Sequence, residues 1–207
     1  MALSAFENKA RIHAHLAFFA YLVALPLGVF IARYMRAFTN SWFWPHAIVN
    51  FLITGPLIVT AFALGYQISD LSGEPHFSDP HQQVGLALLV MYFTQVFLGA
   101  FIHWIKFPFL RFPGGRLPQN YLHAVLGLAI IALASWQTHY GLWYEWTYVT
   151  GNVHPVSWRC KDFWVAIVVI IWTLYAIGLG LLPRQLRKEA DDRRAKHERL
   201  NDDVPLI

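Results

Sequence analysis

The sequence predicts an all-α integral membrane bundle of five transmembrane helices, a four-helix core with one further helix towards the C-terminus. Three observations carry that expectation. Of the 207 residues, 57% are hydrophobic and only 14% charged, whereas a soluble domain carries about 25% charged residues. The apolar residues fall into five charge-free stretches, each near the ~20 residues that cross a bilayer as helix. Seven of the nine tryptophans, Trp42, Trp44, Trp104, Trp143, Trp146, Trp158 and Trp164, lie at or beyond the ends of those stretches, as an interfacial belt does. This composition excludes an ordinary soluble enzyme and a disordered chain.

The first stretch runs from His13 to Ala32 and the second from Trp42 to Tyr66. Each holds a central proline, Pro26 and Pro56, which bends a membrane helix without ending it. The third runs from His81 to Ile105, the fourth from Tyr121 to Trp136 and the fifth from Phe163 to Leu182. Residues 1–183 read as one membrane domain and 184–207 as a charged tail of mixed sign, either a solvated helix or a disordered arm.

An odd number of spans puts the termini on opposite sides. Four basic residues, Lys9, Arg11, Arg159 and Lys161, fall on the N-terminal side, and the other twelve fall on the tail side. The positive-inside rule then places the N-terminus outside and the tail in the cytoplasm. The net charge of +4 is thereby a topology signal, and no nucleic-acid partner is expected. The apolar run after Arg11 is too long for a secretory signal. A lone cysteine, Cys160, offers neither an internal disulfide nor a metal quartet.

Within the five stretches there is no Asp, Glu, Lys or Arg, so histidine is the ionisable side chain left to examine. His13, His46, His81 and His123 each lie near the N-terminal end of spans one to four. Because successive spans alternate in direction, His13 and His81 share the outer level, and His46 and His123 share the inner level. Spans one–two and three–four read as two copies of one histidine-bearing hairpin, repeated about an axis along the membrane normal. Four positions on, one helical turn along the same face, stand Ala17, Gly85 and Gly127, small enough to leave room for a flat macrocycle; Asn50 breaks the pattern. Imidazole is a good axial ligand for haem iron. Two histidines per level complete a haem site but not a zinc or copper site, which needs further ligands. His15, on a different face, competes with His13. His76, His103, His139, His154 and His197 read as interfacial, loop or tail residues.

These residues resemble the eukaryotic cytochrome b561 family, closest to its DOMON-linked members. The run His13-Ala-His-Leu-Ala-Phe-Phe-Ala-Tyr-Leu-Val-Ala-Leu-Pro26-Leu-Gly-Val-Phe-Ile-Ala-Arg33-Tyr34 is similar to the family's first core helix, with its histidine thirteen residues before a proline. That register selects His13 over His15. Trp42-Phe-Trp-Pro-His46, His81-Gln-Gln-Val-Gly85 and Gln119-Asn-Tyr-Leu-His123-Ala-Val-Leu-Gly127 are similar to the next three ligand-bearing helices. The resemblance spans roughly residues 10–182. It implies two haem b groups, an outer one on His13/His81 and an inner one on His46/His123, and electron transfer from cytosolic ascorbate. The acceptor outside would be monodehydroascorbate, ferric iron or a partner haem domain such as a DOMON module.

Lys106, Arg111 and Arg116 lie in the loop beside the inner level, where they would attract an anionic donor, pair with haem propionates or simply set topology. Arg33 is a propionate partner by the same argument, and the outer acidic residues Asp70, Glu74 and Asp79 would collect ferric iron or face solvent. A histidine-relay transporter without haem, a membrane anchor for a redox partner and a quinol-linked cytochrome stay open as alternatives. So do a homodimer and the choice between plasma membrane and endomembrane.

Overall fold

The computed structural model describes residues 2–73, 75–105 and 117–202, and among these the chain is helical with no strand. Five helices are long and apolar enough to cross a membrane: α1 (Ala5–Met35), α2 (Phe43–Ser72), α3 (Pro80–Trp104), α4 (Pro118–Val149) and α5 (Trp158–Leu179). A sixth, α6 (Leu182–Asp202), continues into the tail. The tail is therefore the helical of the two options its charge pattern left open.

Most of these helices outrun the charge-free stretches that predict them. α1 begins eight residues before His13 because Ser4 and Glu7 form a reciprocal capping box at its start, an arrangement worth about 1 kcal/mol. Asp79 caps α3 by accepting from the Gln82 N–H at 2.9 Å, and Ser157 caps α5 through the Cys160 N–H. At 31 residues, α1 is about 46 Å long, more than the ~30 Å hydrocarbon layer. Charged residues such as Lys9, Arg11 and Glu145 thus sit at helix ends, in the headgroup zone. α4 carries Trp143 and Trp146 inside its last turns rather than beyond its end.

The prolines leave the expected mark without ending a helix. Pro26 follows a π-helical segment, Phe19–Ala24, and Pro56 follows another, Val49–Thr54. Proline lacks an N–H and crowds the carbonyl one turn back, and a π turn absorbs that misfit. The carbonyl of Asn50, inside the second segment, accepts from the Tyr92 hydroxyl of α3 at 2.7 Å.

Packing makes two hairpins. α1 lies along α2, and α3 along α4, with α4 closing against α1 and α3 against α2. The hydrophobic core sits at mid-height, built from Tyr21, Leu22 and Leu25 of α1, Ile58 of α2, Leu88 and Tyr92 of α3, and Ile130, Ile131 and Ala134 of α4. Outward-facing side chains such as Phe97, Val125 and Ile177 are exposed and apolar, as lipid contact requires. α5 reaches His139 and Trp143 of α4 through its Trp164 and packs mainly on the second half of α1. There Gly178 meets Arg33 so closely that a Cβ on the glycine would fall 2.6 Å from Arg33 Cγ. The start of α6 docks on the α1–α2 turn. Arg184 donates to the Ala37 carbonyl at 3.3 Å and lies over Phe38, Arg36 pairs with Glu189 at 2.9 Å, and Lys188 bonds Asn40.

Gly178→Leu is expected to lower the thermal stability of the detergent-solubilised protein by about 1–3 kcal/mol through overpacking. Thermal unfolding followed by circular dichroism against wild type checks it.

Candidate functional site: two imidazole pairs

The four singled-out histidines meet in two pairs at opposite ends of the core. His13 of α1 and His81 of α3 have ring centroids 6.1 Å apart, with planes inclined by 69°. His46 of α2 and His123 of α4 have centroids 6.3 Å apart, with planes inclined by 67°. The first pair shares its end of the bundle with the N-terminus and the second with the tail. The apolar core lies between them.

Each histidine is held from the other helix of its own hairpin, two by the ring and two by the backbone. His13 Nδ1 donates to the Ala61 carbonyl of α2 at 2.7 Å, and His46 Nδ1 donates to the Gly28 carbonyl of α1 at 2.8 Å. His81 and His123 receive their support at the backbone: Gln137 Nε2 donates to the His81 carbonyl, and Gln95 Nε2 to the His123 carbonyl, both at 2.7 Å.

Glycines make room for the rings, but not the ones expected. A Cβ on Gly65 would fall 3.0 Å from His13 Cε1, one on Gly99 3.1 Å from His123 Cε1, and one on Gly141 3.4 Å from His81 Cε1. Gly85 and Gly127, which the i+4 spacing offered as clearance for a macrocycle, instead face Gln137 Nε2 at 3.6 Å and Gln95 Nε2 at 2.9 Å. Their clearance is filled by glutamine, because the space beside a histidine is set by the helix opposite and not by its own. Asn50, the apparent exception, donates to the His46 carbonyl at 2.8 Å and fills the gap left by Gly28, where a Cβ would overlap its amide.

Arg33 is turned towards α5. It donates to the Tyr175 hydroxyl at 3.0 Å and lies over that ring. Arg36, one turn further on, stands nearer the tail-side pair and is ion-paired with Glu189 at 2.9 Å. It covers the Trp42 ring at 4.6 Å, and Trp42 in turn neighbours His46 at 6.1 Å. Arg36 was readable as a basic residue at the end of the first span, but its nearness to the histidines depends on the fold. Lys106, Arg111 and Arg116 lie outside the described residues, as does Glu74.

The remaining histidines are engaged elsewhere. His15 is exposed and donates to the Arg11 carbonyl of its own helix at 2.7 Å. His103 stacks on Phe43 at 3.5 Å and His139 on Trp143 at 4.3 Å. His76 stacks on Tyr66 and pairs with Asp70 at 2.8 Å, and His154 approaches Glu7 at 3.9 Å.

The donor set and spacing of the pairs decide which metal group they fit. Among the described residues, no three His, Cys, Asp or Glu side chains gather as a metal site, so tetrahedral zinc lacks its ligands. Imidazole binds a first-row metal at about 2.0 Å, with the ring centroid about 1.1 Å behind the nitrogen, so two trans ligands stand about 6.2 Å apart. Both pairs match that span, and a porphyrin brings the other four ligands itself.

Such a bundle is of the membrane cytochrome class. The family model for eukaryotic cytochrome b561 matches residues 12–149, and the chain belongs to that family. The family is one of haem b proteins that transfer electrons across a membrane. A cytochrome b561 and DOMON domain-containing protein of Arabidopsis thaliana is 32% identical over 92 residues, 44% of this chain and 22% of the relative. The aligned stretch thus spans about a fifth of that relative's length. No solved structure matches significantly.

Gly65→Leu is expected to push the His13 ring off its carbonyl and lower the haem content of the purified protein. Val125→Leu on the lipid face leaves haem content unchanged. A pyridine haemochrome assay per chain distinguishes the two.

Proposed function

We propose that the chain passes electrons across the bilayer with two haem b groups, one near each face. His13 and His81 hold the outer group, and His46 and His123 hold the inner one. The observation that supports this best is the recurrence of one imidazole spacing, 6.1 and 6.3 Å, at both ends of a single bundle. Haem b, held by an imidazole pair at each level, would supply a one-electron ferric/ferrous couple. The chain's residues do the rest. Carbonyls and glutamines fix the rings, glycines admit them, and the core of Ile58, Leu88, Ile130 and Ile131 keeps water from the path between the two levels.

The basic bias towards the tail side supports a cytoplasmic tail and an N-terminus outside, with residues 1–183 as the membrane unit and 184–207 as its cytoplasmic tail. Electrons enter on the cytoplasmic side from ascorbate, an anion that Lys106, Arg111 and Arg116 attract. Arg36, with Arg33 a turn before it, supplies positive charge for propionates at the inner end. The acceptor outside is monodehydroascorbate, ferric iron or a partner haem domain, and the DOMON module in the Arabidopsis relative's description favours the last. The activity is then that of a transmembrane oxidoreductase.

Reduced-minus-oxidised spectra with ascorbate and then dithionite test the scheme. Two low-spin b components per chain are expected, one missing in His13→Ala and the other in His46→Ala. A protein that binds no haem despite ample supply during expression overturns the scheme and favours a histidine relay. Reduction by quinol but not by ascorbate replaces the donor.

A further inference from the structure

We infer that Gln95 and Gln137 are positioning residues that accept the Nδ1 proton of His123 and His81, fixing the tautomer and donor strength of one imidazole in each pair. The inference rests on the two-haem reading above.

The sequence carries a repeat in α3 and α4 that composition and hydropathy do not reveal. His81, Gly85, Gln95 and Gly99 recur as His123, Gly127, Gln137 and Gly141, every position offset by 42. Since α3 and α4 are antiparallel, the two sets face each other head to tail. Gln95 meets His123 and Gln137 meets His81. Gly127 and Gly85 clear space for the amides, and Gly99 and Gly141 clear space for the rings. All eight residues take part in one reciprocal arrangement.

That arrangement leaves four matched polar atoms unmet. His81 Nδ1, His123 Nδ1, Gln95 Oε1 and Gln137 Oε1 are buried with no hydrogen-bond partner among the described residues. Two are ring nitrogens and two are pure acceptors, and each ring belongs to the histidine whose backbone carbonyl the same glutamine's Nε2 already meets. An imidazole that gives Nε2 to a metal carries its proton on Nδ1, and that N–H needs an acceptor to set ring orientation and basicity. His13 and His46 already have one in the Ala61 and Gly28 carbonyls. His81 and His123 do not, and the free oxygen of the neighbouring amide is the group placed to serve. The terminal amide torsion of glutamine is soft, so a turn of it brings Oε1 towards the ring N–H in exchange for the Nε2 bond to the histidine carbonyl. Each pair then combines one ring tied to a backbone carbonyl in the first hairpin with one tied to a side-chain amide in the second. The second is open to tuning by substitution, and the first is not.

Potentiometric titration of the full-length protein tests this, with the two components assigned through His13→Ala and His46→Ala. Gln137→Leu removes the acceptor, weakens the ring's donation to ferric iron and raises the midpoint potential of the outer component only. Gln137→Glu supplies a stronger acceptor and lowers it. Gln95→Leu and Gln95→Glu do the same to the inner component. Opposite shifts from the paired substitutions are the expected result, since a packing role would move both the same way. Potentials unmoved or moved in one direction overturn the inference, as does haem loss from both variants with helicity intact. Where only the leucine variant sheds haem, the glutamate variant decides, a lowered potential supporting the inference and an unchanged one refuting it. Wild-type protein without two b haems removes the two-haem reading and this inference with it, whereas two haems with silent glutamines remove the inference alone.

Discussion

A helix uses one lone pair of each backbone carbonyl and leaves the second free. The arrangement of the first hairpin depends on spending that second lone pair on an imidazole from the neighbouring helix. His13 reaches Ala61 and His46 reaches Gly28, and contacts of that length require the two backbones to run close. Gly28 and Gly65 permit the approach, as small residues do wherever membrane helices pack tightly. Once both contacts are made, the register of α1 against α2 is set at two points about 22 Å apart along the axis. The heights of the two histidine levels, and of the apolar core between them, follow from that register.

The second hairpin reaches the same outcome with different chemistry. Its ring nitrogens find no carbonyl, and its helices are tied through glutamine amides to histidine carbonyls. The two halves are therefore alike in plan and unlike in detail. The π turns before Pro26 and Pro56 lie in the first half, and one of them presents the Asn50 carbonyl to Tyr92 across the hairpin boundary. A backbone irregularity inside a membrane persists only where a neighbour satisfies it, and here the neighbour also locks α2 to α3.

How far the sequence could be read varies with the range of the interaction. The five helices were legible because charge-free length is a local property, and alternation of span direction was enough to say which histidines share a level. Helix ends were less legible. Charged residues were read as marking the limit of a span, whereas Lys9, Arg11 and Glu145 ride on helices that extend into the headgroup zone. The i+4 argument looks along one helix, whereas the nearest neighbours of Gly85 and Gly127 are Gln137 and Gln95 of the helix across. Arg33 and Arg36 were both visible as cations, but only the packing of α5 separates them, claiming Arg33 for Tyr175 and leaving Arg36 beside the histidines.

The apolar layer at mid-height has an electrical meaning. Ile58, Leu88, Ile130 and Ile131 are each at most 2% exposed and pack in one hydrophobic cluster. Moving a bare charge such as a proton through such a layer carries a large desolvation cost. On the two-haem proposal, an electron that crosses this layer without a proton separates charge between the two faces. The transmembrane voltage then enters the driving force directly, at about 2.3 kcal/mol per electron for each 100 mV fully crossed. The membrane's own polarisation, as much as the chemistry of donor and acceptor, sets the direction in which this protein runs.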